Sequence, residues 1–131
     1  MSKNEAPIAE QDVMPPKTLR ALRGAIAKWK GIVAGTQGDK GTRNCSLCKQ
    51  FYRNDDRLGC RGCPVRAATQ RDYCLGSPHE RWRQRMEAKV GYQESWRVCD
   101  EESRALAQAE LDFLESLLPP GCNRTERKRA A

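Results

Sequence analysis

The chain has 131 residues, of which 38% are hydrophobic and 31% charged, so it can form one modest domain with a small core. No apolar run approaches the roughly twenty residues that a membrane-spanning helix needs, which predicts a soluble, cytoplasmic protein without a membrane partner. The formal net charge of +7 favours binding to anions.

The first part of the chain is a polar segment followed by an amphipathic one. Residues 1–16 lack apolar periodicity and end in two prolines, which predicts a disordered arm. Apolar residues then recur every three or four positions, so we expect an amphipathic helix over residues 17–34 with Thr18 as its N-cap. Trp29 lies on the apolar face and is predicted to anchor the core. The opposite face carries basic residues, namely Arg20, Arg23, Lys28 and Lys30.

A glycine-rich loop at residues 35–44 is followed by the stretch 45–79, which holds five of the seven cysteines and the only histidine. Cys45 and Cys48 form one CxxC pair, and Cys60 and Cys63 form a second pair after eleven intervening residues. Two such pairs at short separation are the ligand pattern of a tetrahedral zinc site, because the turn within each pair directs both sulfurs toward one ion. We therefore predict one structural Zn²⁺ ion, bound by these thiolates, that supplements the small core.

The choice of ligands and of metal leaves alternatives open. Cys74 is a fifth candidate ligand and His79 a further one, so the sequence does not decide which side chains hold the metal. An iron–sulfur cluster is the alternative cofactor, because cysteine thiolates bind it as well. A disulfide framework is disfavoured by the odd number of cysteines and by the lack of an apolar signal segment. A redox-active CxxC is disfavoured because no predicted strand precedes either pair.

The predicted metal module, residues 45–76, is expected to consist of loops and cysteine knuckles. Gly62 can adopt the positive φ that the turn of a knuckle tends to require, and Pro64 stiffens the chain after the second pair. The turn-forming residues 53–56 are typical of a hairpin tip between the two knuckles.

Two further helices are expected after the metal module. Ser77, Pro78 and Glu80 have the residue types of the N-cap, first and third positions of a capped helix, which predicts a helix over residues 78–90. Beyond it, apolar residues at three-and-four spacing predict a long amphipathic helix over residues 92–118.

These elements predict a mainly α fold, in which a small zinc-stabilised loop or knuckle module is flanked by amphipathic helices. We assign residues 17–118 to a single domain and residues 119–131 to a basic disordered tail. The acidic last helix is expected to pack against the basic first helix, because each has one apolar face. Cys99 is expected to be buried on that face, and Cys122 to be exposed.

The cysteine pattern resembles that of a loose family of small cysteine-rich bacteriophage proteins. The shared features are CSLC, then CRGCP, a further cysteine in DYC, and SP shortly before a tryptophan, and they cover about residues 18–82. The resemblance implies a metal site at the matching cysteines, which are Cys45, Cys48, Cys60, Cys63 and Cys74. It also implies that the protein acts in the cytoplasm of a bacterial host. The family supplies no activity, so the resemblance implies a setting and not a mechanism.

The residue types disfavour catalysis and favour binding. A single histidine cannot supply the histidines of an HNH-type nuclease, so we predict that the protein is not an enzyme. The excess of arginine and lysine predicts nucleic-acid binding through phosphates. The predicted contacts are Arg53, Arg57, Arg61, Arg66, Arg71, Arg20, Arg23, Lys28 and Lys30. The alternative is a protein-interaction module whose long acidic helix binds and modulates a bacterial host protein.

Overall fold

The protein is mainly helical, as the sequence predicts. The computed structural model describes residues 14–51, 62–71 and 74–120. Its helices, in chain order, are α1 (Pro16–Ala34), α2 (Ser46–Phe51), α3 (Pro64–Thr69), α4 (Pro78–Val90) and α5 (Glu101–Ser116). Within the described ranges, extended backbone pairs at a single antiparallel bridge, which joins Asp39 to Trp96.

Several sequence predictions fall on residues outside this description. The predicted arm up to residue 13, the predicted hairpin tip at 53–56 and the tail beyond residue 120 all lie outside the described residues. The predicted metal module is described in part, and there it contains the two short helices α2 and α3 where the sequence predicted loops.

α1 begins slightly earlier than its sequence pattern predicted. Pro15 is the N-cap and Pro16 takes the first helical position, where the missing amide of proline costs no hydrogen bond. Thr18 is therefore not the N-cap, and it is buried within the first turn. The helix ends at Gly35, whose φ of 84° is a left-handed conformation that glycine adopts without a steric penalty.

α4 starts at a network of local hydrogen bonds and spans the residues for which the sequence predicts a helix. The hydroxyl of Ser77 accepts a hydrogen bond from the amide of His79 and donates one to the carbonyl of Cys74 at 2.7 Å. The Glu80 carboxylate accepts a hydrogen bond from the amide of Gly76 at 2.8 Å. The start of α4 is thereby tied to the turn that contains Cys74.

The last helix begins later than predicted, at Glu101 and not at residue 92. The backbone of Trp96 pairs with that of Asp39, with N···O distances of 2.8 and 3.0 Å, so this part of the chain is extended. Asp100 then caps α5, because its carboxylate accepts the amide of Ser103 at 2.8 Å while the Ser103 hydroxyl accepts the Asp100 amide. Cys99 precedes the helix and is exposed, which contradicts the prediction that it is buried.

The core lies between α1, α4 and α5, with contributions from the two short helices. α1 packs against both α5 and α2, and α4 packs against α5. Trp29 is 2% exposed, in agreement with its predicted role. The buried side chains that fill the core include Leu22, Ile26, Ile32, Leu47, Val65, Trp82, Met86, Ala107 and Leu114. This packing places the cysteines of the module beside the apolar face of α1.

Candidate metal centre

Four of the predicted metal-ligand cysteines lie around one small space. Cys45 and Cys63 directly precede α2 and α3, Cys48 lies in α2, and Cys74 lies in the turn before α4. All four contribute to the wall of one small cavity. Three separate segments of the chain therefore bring thiols together, although only the CxxC pairs are close in sequence. Cys60 lies outside the described residues.

The first CxxC pair has the hydrogen bonding of a metal-binding turn. The amide of Cys48 donates to Cys45 Sγ, with a distance of 3.4 Å. A hydrogen bond from the Cys48 thiol, the charge of Lys28 and the amides of Cys48 and Leu47 lower the pKa of Cys45 to about 6, although burial opposes the shift. The thiolate is the form of cysteine that binds metals, so this environment favours ligation by Cys45.

The second pair is shaped by the residues on either side of Cys63. Gly62 has a φ of 90°, the positive value that the sequence predicted for it. A Cβ atom at this position would lie 3.1 Å from the Phe51 ring, so glycine also allows α2 to approach the turn closely. Cys63 is the N-cap of α3, and Pro64 takes the first position of the helix. These constraints fix the direction in which the chain leaves the second pair.

Cys74 has a strained backbone that its neighbours hold in place. Its φ is 64°, a left-handed value that costs a residue with a Cβ atom about 1 kcal/mol or more. The amide and the hydroxyl of Ser77 both donate to the Cys74 carbonyl, at 3.3 and 2.7 Å. Strain of this kind is common at functional sites, and here it turns Cys74 toward the cavity that the CxxC cysteines line.

The described residues do not by themselves form a complete metal site. Across residues 14–51, 62–71 and 74–120, no group of three or more His, Cys, Asp or Glu side chains has the arrangement needed to hold a metal ion. His79 is engaged elsewhere, because its Nε2 atom lies 3.0 Å from Asp39 Oδ2. The identity of the metal and of its ligands therefore stays a prediction from the sequence pattern and from the convergence of the thiols.

Asp39 organises a buried polar cluster beside the cysteines. It is 2% exposed, and its Oδ1 accepts hydrogen bonds from Lys28 Nζ at 2.8 Å and from the Gly41 amide at 2.9 Å. Its Oδ2 contacts His79 and accepts from Trp82 Nε1 at 2.9 Å. Burial alone would raise the pKa of Asp39, but the hydrogen bond and charge of His79, together with Lys28, hold it well below its usual range.

This cluster corrects one predicted nucleic-acid contact. Lys28 is 5% exposed and paired with Asp39, so it does not belong to an exposed basic face of α1. Sequence reasoning missed Asp39 because the loop 35–44 has the composition of a flexible linker. The one available signal was an acidic residue within an otherwise basic, glycine-rich stretch.

The other predicted phosphate contacts divide into exposed residues and residues outside the description. Arg53, Arg57 and Arg61 lie outside the described residues. The predicted contacts that are exposed on the protein surface are Arg20, Arg23, Lys30, Arg66 and Arg71. Among these, Arg66 and Arg71 also contribute to the wall of the cysteine cavity.

α1 contacts the start of the cysteine module at Gly24. A Cβ atom at Gly24 would come within 2.2 Å of Ser46 Oγ, which shows that α1 and the start of α2 are in close contact there. Arg20 and Arg23 are within one helical turn of Gly24. This contact brings the part of α1 that carries Arg20 and Arg23 next to the start of α2.

No family model, curated protein or solved structure matches this chain. The resemblance to the cysteine-rich phage proteins therefore stays a prediction from the sequence pattern. In the part of the chain that the structure describes, no helix combines the length and the apolar character required to cross a membrane.

Proposed function

We propose that this protein is a non-enzymatic, zinc-stabilised helical protein that binds nucleic acid through phosphate contacts. The observation that carries the proposal is the convergence of four cysteines on one small cavity whose wall also includes Arg66 and Arg71. A closed thiolate site stabilises a fold without offering an open coordination position, so it fits a binding protein better than an enzyme.

The proposed zinc ligands are cysteine thiolates from both CxxC pairs. We propose Cys45, Cys48 and Cys63 together with either Cys60 or Cys74. The described thiols line one cavity but do not yet have a metal-holding arrangement, so metal binding would draw them together. The lowered pKa of Cys45 supports thiolate ligation at neutral pH. The metal would hold α2 and α3 in place, because six-residue helices are too short to be stable without tertiary contacts.

The metal can be tested by native mass spectrometry of the full chain together with elemental analysis. We expect one zinc ion per chain, which is lost in Cys45→Ser and in Cys63→Ser. Cys99→Ser is the matched control, because Cys99 is exposed and does not contribute to the cavity. A brown protein that contains iron would show that the site holds an iron–sulfur cluster and not zinc. A chain without any metal would contradict the proposal.

The proposed phosphate-binding surface combines Arg66 and Arg71 with Arg20 and Arg23. Arginine binds phosphate through parallel N–H···O bonds, and each neutralised phosphate releases counterions, so the affinity falls as the salt concentration rises. The arginines in the described part of the chain do not form a recognition helix that could read bases. We therefore expect similar affinities for nucleic acids of different base sequence.

A salt titration of binding tests the surface. The double variant Arg66→Ala/Arg71→Ala should weaken binding to random DNA and RNA by similar factors and reduce the slope of log K against log salt by roughly two. The control Arg97→Ala/Arg104→Ala removes the same number of charges outside the proposed surface. These two arginines donate to the carbonyls of Gly35 and Val33 at the C-terminal end of α1. We expect the control to change the slope much less.

A wild-type protein that binds no nucleic acid at low salt would contradict this function. The predicted alternative, an interaction with a bacterial host protein, would then be tested by capture with the full chain.

A further inference from the structure

A cavity of about 270 Å³ lies between the core helices and the cysteine module. All five helices contribute side chains to its wall, and about half of these side chains are apolar. The apolar ones include Ala25, Trp29, Leu47, Val65 and Leu114. A water molecule occupies about 30 Å³ in the liquid, so the space is large enough for a small organic molecule.

Glu110 on α5 is a buried acidic group in this wall, and its hydrogen bond with the His79 backbone leaves it only partly satisfied. The residue is 3% exposed, and its Oε1 atom is buried without a hydrogen-bond partner among the described residues. The basic side chains in the same wall are Lys28, His79 and Arg83. Lys28 and His79 are hydrogen-bonded to Asp39, and none of the three donates to Glu110 Oε1. Because a buried carboxylate oxygen without a donor is costly, its presence beside an apolar cavity points to a donor supplied by a ligand.

We propose that this cavity binds a small organic cation, an amine or guanidinium group on a compact apolar body, with Glu110 as its counter-ion. Such a group would give Oε1 the donor that it lacks, and it would neutralise the buried charge. The Trp29 ring in the same wall also accommodates cations, since Lys28 Nζ already lies 5.5 Å from the ring centroid. The apolar side chains would cover the body of the ligand.

The cavity adjoins the proposed zinc site, because Cys45, Cys48 and Cys74 also belong to its wall. The inference goes beyond the proposed zinc and nucleic-acid binding, because its recognition groups are Glu110 and the apolar part of the wall. A neutral molecule of the same shape would leave the carboxylate uncompensated, and an anion would be repelled by it. The cavity should therefore discriminate by charge among compounds of similar size and shape.

Isothermal titration calorimetry of the full chain with benzylamine, benzyl alcohol and benzoate tests this discrimination at pH 8, where Glu110 is mainly ionised although burial raises its pKa to about 7. We expect benzylamine to bind about tenfold or more tightly than benzyl alcohol, and benzoate to show no binding. In a nitrogen-edited NMR spectrum, benzylamine should shift the indole N–H signal of Trp29, which lines the cavity, more than that of Trp96, which does not.

The variant Glu110→Gln should lower the affinity for benzylamine by about tenfold or more and leave that for benzyl alcohol unchanged. Glu115→Gln is the matched control, because Glu115 is also buried on α5 but does not line this cavity. Circular dichroism of both variants verifies that they are folded.

Equal affinities of the wild-type protein for the amine and the alcohol, or no affinity for either, would overturn the proposal. An undiminished affinity of Glu110→Gln for benzylamine would overturn it as well. If Glu110→Gln does not fold, the wild-type charge discrimination and the Trp29 shift decide the outcome, and the absence of either contradicts the site.

Discussion

The carboxylate of Asp39 joins parts of the chain that are far apart in sequence. Its partners Lys28, His79 and Trp82 lie 11, 40 and 43 residues away. Lys28 is nearly inaccessible to solvent, so its charge is balanced by Asp39 and not by water. One carboxylate therefore stabilises both the loop after α1 and the first turns of α4.

Replacing Asp39 should destabilise the protein strongly. Asp39→Asn keeps the shape of the side chain but leaves Lys28 as a buried charge without a counter-ion, which typically costs about 3–5 kcal/mol of unfolding free energy. Urea denaturation measures the loss, with the exposed Asp112→Asn as a control. A second substitution, Lys28→Met, should recover a large part of the stability. If Asp39→Asn loses no more unfolding free energy than the control, the Lys28–Asp39 pair does not have the stabilising role assigned to it.

Glu110 should make the stability depend on pH in the opposite direction to a salt-bridged acid. Burial raises its pKa to about 7 from 4.5, with a lowering contribution from His79 and raising contributions from Cys45 and Asp39. The folded state therefore binds this proton more tightly than the unfolded state. The associated stability is fully present below pH 4.5 and is lost as the pH rises to about 7.

Glu110→Gln should remove this dependence. The pKa difference corresponds to roughly 3 kcal/mol, so the variant should be more stable than the wild type at pH 8 by up to about that amount. Urea denaturation at pH 5 and pH 8 compares the two proteins, with Glu115→Gln as the control. An equal pH dependence in wild type and Glu110→Gln would show that Glu110 does not cause it.

At the scale of single elements, the start of α5 depends on two reciprocal hydrogen bonds. Asp100 accepts the amide of Ser103, and the amide and hydroxyl of Ser103, followed by Arg85, lower the pKa of Asp100 to about 2. The carboxylate also accepts a hydrogen bond from Arg85 at 2.7 Å, which links α5 to α4.

Substitutions at Asp100 should separate the cap from the ion pair. Asp100→Ala removes both and should lower the melting temperature measurably, whereas Asp100→Asn keeps a side chain that caps helices well and should retain more of the stability. Thermal denaturation followed by circular dichroism measures both variants. Similar melting temperatures for Asp100→Ala and Asp100→Asn would mean that the cap contributes little to stability.

The helix starts show which parts of the fold local sequence can predict. The start of α4 follows from Ser77, Pro78 and Glu80, whose hydrogen bonds join residues that are close in the chain. The start of α5 was predicted wrongly, because apolar periodicity continues through the stretch before Asp100 and the capping serine at 103 was overlooked. That stretch is extended because it pairs with Asp39, and no local pattern indicates so distant a partner.

Local sequence patterns likewise predicted one part of the candidate site and missed another. The two closely spaced CxxC pairs predicted a common site, and Cys45, Cys48 and Cys63 do line one cavity, whereas Cys60 lies outside the described residues. The burial of Lys28 and the unsatisfied carboxylate oxygen of Glu110 were not predictable, because both depend on how helices distant in sequence pack. Helical periodicity placed Lys28 on a polar face without showing that Asp39 covers it.

For the whole molecule, the proposed zinc should stabilise the cysteine module more than the helical core. α1, α4 and α5 bury apolar side chains against one another, whereas α2 and α3 have six residues each. A closed thiolate site contributes on the order of 10 kcal/mol in small zinc domains. Removal of the metal should therefore affect α2 and α3 first.

Hydrogen exchange with and without a strong zinc chelator measures this effect. We expect amide protection to be lost in α2 and α3 and to be kept, at a lower overall melting temperature, in α1, α4 and α5. Equal protection with and without the chelator would mean that the metal does not support these helices. Loss of protection everywhere would mean that the core cannot fold alone.

The packing of α1 against α5 also bears on how the chain folds during synthesis. α1 is synthesised before α5, the helix that covers its apolar face, and the cysteine module, α4 and the extended stretch at Trp96 are synthesised between them. Until then Leu22, Ile26 and Trp29 have no α5 to cover them. The nascent chain must therefore carry an exposed apolar helix until α5 has been synthesised, and the packing of α1 can be completed only after that.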